Sequence, residues 1–370
     1  MQVETLDSFF RQTRDGLNRI DDTKGVLKHE PVTQSLRPLL KWAGGKRQLL
    51  PAINAHRPPA FRRYVEPFFG SGAVFFDLAG RGLLGASRVR LGDANPDLVG
   101  CYRTLRDRTA DVIKALTALE REHRESGEAC YYDVRDRRFN PARAQLAKAS
   151  AQGARLTMAE IARVYTPDVA AMLIFLNRTG FNGLFRVNRS GAFNVPAGRY
   201  TNPTICDPDH LRAVAQAFRS QGVSLEFAGF DATIGDAADG DFVYCDPPYA
   251  PLSATANFAH YTAGGFNAFD QARLQRAVVA ACRRGAHVVL SNSSAPEIVE
   301  LYSSRDARDA GLAVSFVPAR RAINSRAESR GPVKELIVTN VPATARQLPE
   351  LPGKLHTLKV TRVTARRRTA

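Results

Sequence analysis

Tyr64-Val65-Glu66-Pro67-Phe68-Phe69-Gly70-Ser71-Gly72-Ala73-Val74-Phe75-Phe76-Asp77-Leu78 is the stretch whose reading decides the fold. A short apolar strand ends in an acid and a proline. A Gly-x-Gly turn follows, and an apolar helix begins at once. The same succession recurs. Val89-Arg90-Leu91 runs into Gly92-Asp93, Phe242-Val243-Tyr244-Cys245 into Asp246, and Ala286-His287-Val288-Val289-Leu290 into Ser291-Asn292. Short apolar strands that run into polar loops and then helices predict an α/β fold, a mostly parallel sheet with helices on both faces. Ligands on such sheets bind at the carboxyl ends of the strands.

The glycine turn is the first candidate site. Gly-x-Gly between strand and helix lets a nucleotide-like ligand approach the main chain, and an acid about 20 residues on often accepts ribose hydroxyls. Asp93 stands 23 residues after Gly70, at the end of its own strand. An ordinary surface turn is the competing reading. Leu40-Lys41-Trp42-Ala43-Gly44-Gly45-Lys46 holds the only tryptophan, two glycines that allow close approach, and a lysine able to meet a carboxylate. It also reads as a helix-initiating turn, and it lacks the phosphate-loop spacing.

Asp246-Pro247-Pro248-Tyr249 closes the apolar strand 242–245. Two prolines stiffen the loop and carry no amide hydrogens. Tyrosine offers a face for stacking a base. Aspartate and the main-chain carbonyl after it are acceptors for an exocyclic amine, which they can turn toward an electrophilic methyl group. A strand-ending Pro-Pro turn is the plain alternative. Between Asn177 and Arg199 there are four arginines and no acid, so the segment is basic. Leu184-Phe185-Arg186-Val187-Asn188 and Ala192-Phe193-Asn194-Val195 flank Arg189-Ser190-Gly191, a hairpin signal. Arginine pairs with guanine, asparagine with adenine, and Phe181 and Phe185 lie among them as wedges do. A basic solvated hairpin with aromatic core residues explains the same pattern. Ser291-Asn292 and Asp231 are weaker candidates for lining the same pocket.

Composition agrees. The 370 residues suggest two domains, or one large domain with an insertion. At 44% hydrophobic and 24% charged the chain can bury a core. Lysine and arginine exceed aspartate and glutamate by 52 − 36 = 16, which points to a polyanionic partner. No apolar run is long enough for a membrane span, and the amino terminus does not read as a secretory signal. Five scattered cysteines without a Cys-x-x-Cys pair favour neither disulfides nor zinc, and the seven histidines do not cluster, so no metal is expected. A cytoplasmic location follows from the reducing default. Residues 1–36 are near neutral and residues 342–370 form a basic tail ending in Arg366-Arg367-Arg368. From about Arg106 to Arg163 the periodicity is helical.

Taken in order, Lys-Trp-Ala-Gly-Gly-Lys, Tyr-Val-Glu-Pro-Phe-Phe-Gly-Ser-Gly, Asp93-Ala94-Asn95, the hairpin ending Phe-Asn-Val-Pro-Ala-Gly-Arg-Tyr, and Asp-Pro-Pro-Tyr resemble the Dam-type, D12 class DNA adenine methyltransferases over about residues 37–340. The resemblance implies a Rossmann-like sheet that binds S-adenosylmethionine, with an inserted, mostly helical target-recognition domain bearing a β-hairpin. It places the catalytic domain at 37–106 and 225–341, and recognition at 107–224. It implies methyl transfer to adenine N6 in flipped-out bases of duplex DNA, carried by Asp246, Pro247, Pro248 and Tyr249. Trp42, Lys46, Phe69, Gly70, Gly72, Asp93 and Asp246 are expected to bind the cofactor. Phe181, Asn182, Leu184, Arg186, Arg189 and Asn194 are expected at the DNA, with Phe181 intercalating and Arg186 reading guanine. A monomer is expected, with a cognate restriction endonuclease as an optional partner. Cytosine-N4 methylation, and a non-catalytic DNA-binding protein on the same scaffold, stay open. The long helical segment leaves the recognition sequence open too, although GATC is typical of the family.

Overall fold

The computed structural model describes residues 36–42, 44, 46–153, 156–250, 266–320 and 332–346. Nearly all of the amino-terminal extension and the basic tail, together with Ala43 and Gly45 of the first motif, lie outside the described residues. Among the described residues seven strands form one mixed sheet: β1 (Arg63–Glu66), β2 (Arg88–Asp93), β3 (Val223–Phe227), β4 (Asp241–Cys245), β5 (His287–Ser293), β6 (Ala313–Arg320) and β7 (Pro332–Thr339). Their order across the sheet is β3-β2-β1-β4-β5-β7-β6. The first five run parallel, and β7 lies antiparallel to both β5 and β6. The four strands expected from sequence are all present, and β3 begins two residues before the expected return to the sheet at 225.

Eight helices matter for the site: α1 (Ala73–Gly80), α2 (Pro96–Asp107), α3 (Thr109–Ser126), α4 (Pro167–Thr179), α5 (Pro208–Arg219), α6 (Phe230–Ile234), α7 (Ala268–Arg283) and α8 (Pro296–Tyr302). Alternate strand residues feed opposite faces, as the two-residue period requires. Tyr64, Phe242, Tyr244 and Val289 join α1–α5 in one apolar cluster. Val65, Val243, Cys245, Val288 and Leu290 join α6–α8 in the other. β4 is buried at every residue, and from Phe242 to Cys245 it reads as an unbroken apolar run.

The chain leaves the sheet after β2 and returns at β3. Helices fill that excursion, among them a π-helical stretch at Asp133–Phe139. α2 starts where Asn95 accepts from the Asp97 and Leu98 amides at 2.9 and 3.2 Å, with Pro96 in the first turn. The hairpin expected at 184–195 is a turn without assigned strands. One isolated antiparallel bridge joins Val187 to Phe193. Gly191 takes φ 79°, as the turn demands. Helix side chains, rather than a further strand, meet the outward-facing main-chain groups of the return arm.

Candidate active site

β1 lies between β2 and β4, so the order reverses there, and the carboxyl ends of three neighbouring parallel strands lie side by side, where ligands bind on such sheets. From β1 comes the turn Phe69–Gly72. Gly70 and Gly72 take φ 49° and 70°, in the left-handed region that glycine tolerates. A Cβ on Gly72 would meet the Phe69 ring at 2.3 Å, and one on Gly70 would press on Trp42 at 3.2 Å. From β2 comes Asp93. Its carboxylate accepts the Gly70 amide at 2.8 Å and the Asn95 amide at 2.8 Å, fixing the turn against the strand end. Burial pushes the Asp93 carboxyl up to about 6, against the pull of those amides. Gly92 is small because any Cβ there would strike Thr233 of α6 at 2.3 Å.

From β4 comes Asp246. Lys46, almost buried, reaches its Oδ1 at 2.7 Å and also donates to the Gly44 carbonyl at 2.6 Å. The ammonium lies 4.4 Å from the centre of the Tyr249 ring. Burial raises the Asp246 carboxyl above its ordinary range, and the Lys46 charge opposes that rise. Replacing Lys46 by methionine is therefore expected to raise the Asp246 pKa further. The acid limb of the pH–rate profile should move to higher pH, and an unmoved limb would show that Lys46 does not tune this carboxylate.

Several site-forming residues carry no signal in the local motifs. The Tyr249 hydroxyl donates to Glu335 on β7 at 2.6 Å, across 86 residues of sequence. Gln271 of α7 donates to the Pro248 carbonyl at 3.0 Å and accepts from buried Asn292 at 3.1 Å. Ser291 donates to Asp246 at 3.2 Å. The stiff loop is thus held on three sides by β5, β7 and α7. Ser291 and Asn292, weak candidates from sequence, serve as its supports. Glu66 lies beneath, accepting from Tyr64 at 2.8 Å, and burial pushes its carboxyl well above the usual range.

Other expected residues fall elsewhere. The Phe69 ring is buried among Phe75, Phe76, Tyr102 and Phe218, so only its main chain belongs to the turn. Its neighbour Phe68 is half-buried and groups instead with Phe230 and Phe266. Asp231 is exposed and ion-paired with Arg273.

The basic loop packs against the first motif. Trp42 stacks on Phe185 with ring centres 5.3 Å apart. Buried Asn177 accepts the Lys41 amide at 2.8 Å and donates to the carbonyls of Lys41 and Gly183, both at 2.8 Å. Its one side chain binds the first motif to the loop. Phe181 is 48% exposed, and Asn182 beside it takes φ 54°. Arg186 is exposed and donates to the Asn194 side chain at 2.8 Å. Arg189 is exposed at the turn, whereas Leu184 packs partly into the core.

Comparison with known proteins places the chain. The D12 class N6 adenine-specific DNA methyltransferase family matches residues 42–314. The type II methyltransferase M1.LlaDCHI of Lactococcus lactis subsp. cremoris is 36% identical over 306 residues, covering 83% of this chain and 96% of the relative. The type II methyltransferase M.MjaIII of Methanocaldococcus jannaschii is 35% identical over 317 residues, covering 82% and 99%. The DNA adenine methylase of Escherichia coli is 33% identical over 306 residues, covering 83% and 96%. With the family matched across most of this chain, and the glycine turn and Asp-Pro-Pro-Tyr loop following the neighbouring strands β1 and β4, this chain belongs to the D12 class N6 adenine-specific DNA methyltransferases.

Proposed function

We propose that the chain methylates adenine N6 in duplex DNA with S-adenosylmethionine as donor, acting on a base swung out of the helix into the Asp246–Tyr249 loop. The observation that carries this reading is the meeting of Lys46, Asp246 and Tyr249 beside the glycine turn, at the point where strand order reverses. S-adenosylmethionine, when bound, supplies an electrophilic methyl group. The residues present fit it. The turn at Gly70–Gly72 carries no side chain at its two glycines, Asp93 offers carboxylate acceptors, and Trp42 with Phe68 and Phe230 offers aromatic surface. We assign the holding of the cofactor to these residues together with Lys46.

The chain's own part in the chemistry is positional. Asp246 accepts one N6 hydrogen, and the following main-chain carbonyl accepts the other. That turns the nitrogen lone pair out of the ring system. The Tyr249 ring supports the face of the base, with its hydroxyl anchored on Glu335. The proton is lost after transfer, so no strong base is needed. Extruding the base costs a few kcal/mol, offset in this reading by the loop at 181–194. There Phe181 fills the gap in the stack, and Arg186 and Asn194 meet base edges. We assign residues 37–106 and 225–341 to catalysis and 107–224 to recognition, and place the enzyme in the cytoplasm with its DNA.

Labelled methyl donor, duplex DNA and nucleoside analysis test the assignment. Label is expected in N6-methyladenine. Label in N4-methylcytosine, or none at all, overturns it. The Asp93 carboxyl gives a second test. Below about pH 6 it is protonated and one oxygen becomes a donor, so ribose hydroxyls lose an acceptor. Cofactor affinity should therefore rise with pH through about 6 and then level off. The Asp93→Asn variant should bind weakly with a flat profile in the same titration.

A further inference from the structure

The return arm of the basic loop is held from behind by one helical stretch. Phe193 faces inward, buried, while its neighbour Asn194 turns outward and accepts from Arg186. Within the loop, hydrogen bonds join Asn188 to Ala192 at 2.9 Å and Asn194 to Arg186 at 3.1 Å. Those bonds leave the main-chain groups of Phe193 pointing away from the opposite arm. Asn140 meets both. Its side-chain amide donates to the Phe193 carbonyl at 3.0 Å and accepts the Phe193 amide at 2.8 Å. Asn140 thus takes the place of a neighbouring strand at Phe193, while further along the arm the Val195 carbonyl accepts from Tyr131 and Arg135 at 2.9 and 3.0 Å. Its chain neighbour Phe139 meets the Phe193 ring edge-on with centres 5.9 Å apart, at the end of the π-helical stretch Asp133–Phe139. π-helical turns are rare and concentrate at functional sites.

We infer that Asn140 is a positioning residue for sequence discrimination: it fixes the register of the arm, and so the place at which Arg186 and Asn194 meet base edges. This inference rests on the proposed reading of the loop as the part that reads DNA. Base-edge pairing is directional. An arm free to slide by a fraction of an ångström keeps its charge, and with it the sequence-independent attraction to phosphate, but loses its preference among bases. Asn140 itself is directed at the main chain of the protein, so it acts through the arm and not on DNA.

The test uses the full chain and duplexes carrying the site found by mapping N6-methyladenine on DNA treated with wild-type enzyme, alongside duplexes with one base of that site changed. The ratio of dissociation constants for changed and unchanged duplexes is measured for wild type, Asn140→Ala, Asn140→Asp and Arg186→Ala, with binding of S-adenosylhomocysteine and thermal unfolding measured in parallel. Asn140→Ala is expected to narrow the ratio about tenfold, with binding of the cofactor product unchanged. Asn140→Asp, which keeps only the acceptor for the Phe193 amide, is expected to fall between, and carries the test if the alanine variant does not fold. A lowered melting temperature with an unchanged ratio in both variants, while Arg186→Ala narrows it, overturns the inference and leaves the loop reading standing. An unchanged ratio in Arg186→Ala as well overturns the loop reading, and the inference with it.

Discussion

Replacing Asp246 by alanine is expected to lower methyl transfer by about three orders of magnitude while leaving DNA binding within about twofold. The side chain stands at the end of β4 with Lys46 on one oxygen and the Ser291 hydroxyl on the same atom. That arrangement leaves the other oxygen to accept an amino hydrogen. In the proposed function, removing it takes away an acceptor that acts on the reacting nitrogen, so the loss falls on kcat rather than on the affinity for DNA, which the same reading gives to the basic loop. Asparagine at the same position keeps a carbonyl acceptor but no charge against Lys46. It should retain more activity than alanine and less than wild type. Transfer of labelled methyl to duplex DNA measures the first quantity, and fluorescence anisotropy of labelled duplex the second. An alanine variant within tenfold of wild type would remove Asp246 from the chemistry.

The parts of this site that could be read in the sequence are those in which chemistry and backbone geometry coincide locally. A Gly-x-Gly turn after an apolar strand specifies its own φ values. Asp246-Pro247-Pro248-Tyr249 carries acceptor, rigidity and aromatic face within four residues. Asp93 announces itself by ending a strand. Other parts required the sheet to be assembled first. Glu335 is an acid in an apolar strand 86 residues from Tyr249, and only the antiparallel placement of β7 beside β5 brings the two together. Phe68 and Phe69 are neighbours of the same type. Which of them faces the core is settled by Tyr102 on α2 and Phe218 on α5, neither of which the motif contains. The hairpin was legible as a turn, through Gly191, but not as a loop braced by Asn140 in place of a strand. Asp97 reads as an ordinary helix-start acid, and Arg143 as one of many exposed arginines. Their pairing has no signature in either segment.

That pair makes the largest stability prediction. Asp97 and Arg143 are 2% and 4% exposed, and the guanidinium holds the carboxylate at 2.8 and 2.5 Å. Tyr165 donates to the same carboxylate at 2.7 Å, and Arg143 also donates to the Gly191 carbonyl in the turn of the basic loop. A charge so placed is tolerable only while its partner remains. Asp97→Ala strands a guanidinium and a phenol without their acceptor, and should cost about 3–5 kcal/mol in urea unfolding. Removing the charges together is a different matter. Asp97→Leu with Arg143→Met and Tyr165→Phe replaces the buried polar cluster by apolar groups of similar bulk, and should recover most of the stability lost. The triple variant nonetheless gives up the bond to Gly191, so the turn should exchange its amide hydrogens faster even where the midpoint of unfolding is restored. A single Asp97→Ala variant within about 1 kcal/mol of wild type would mean that water reaches Arg143 freely, contrary to the burial described here.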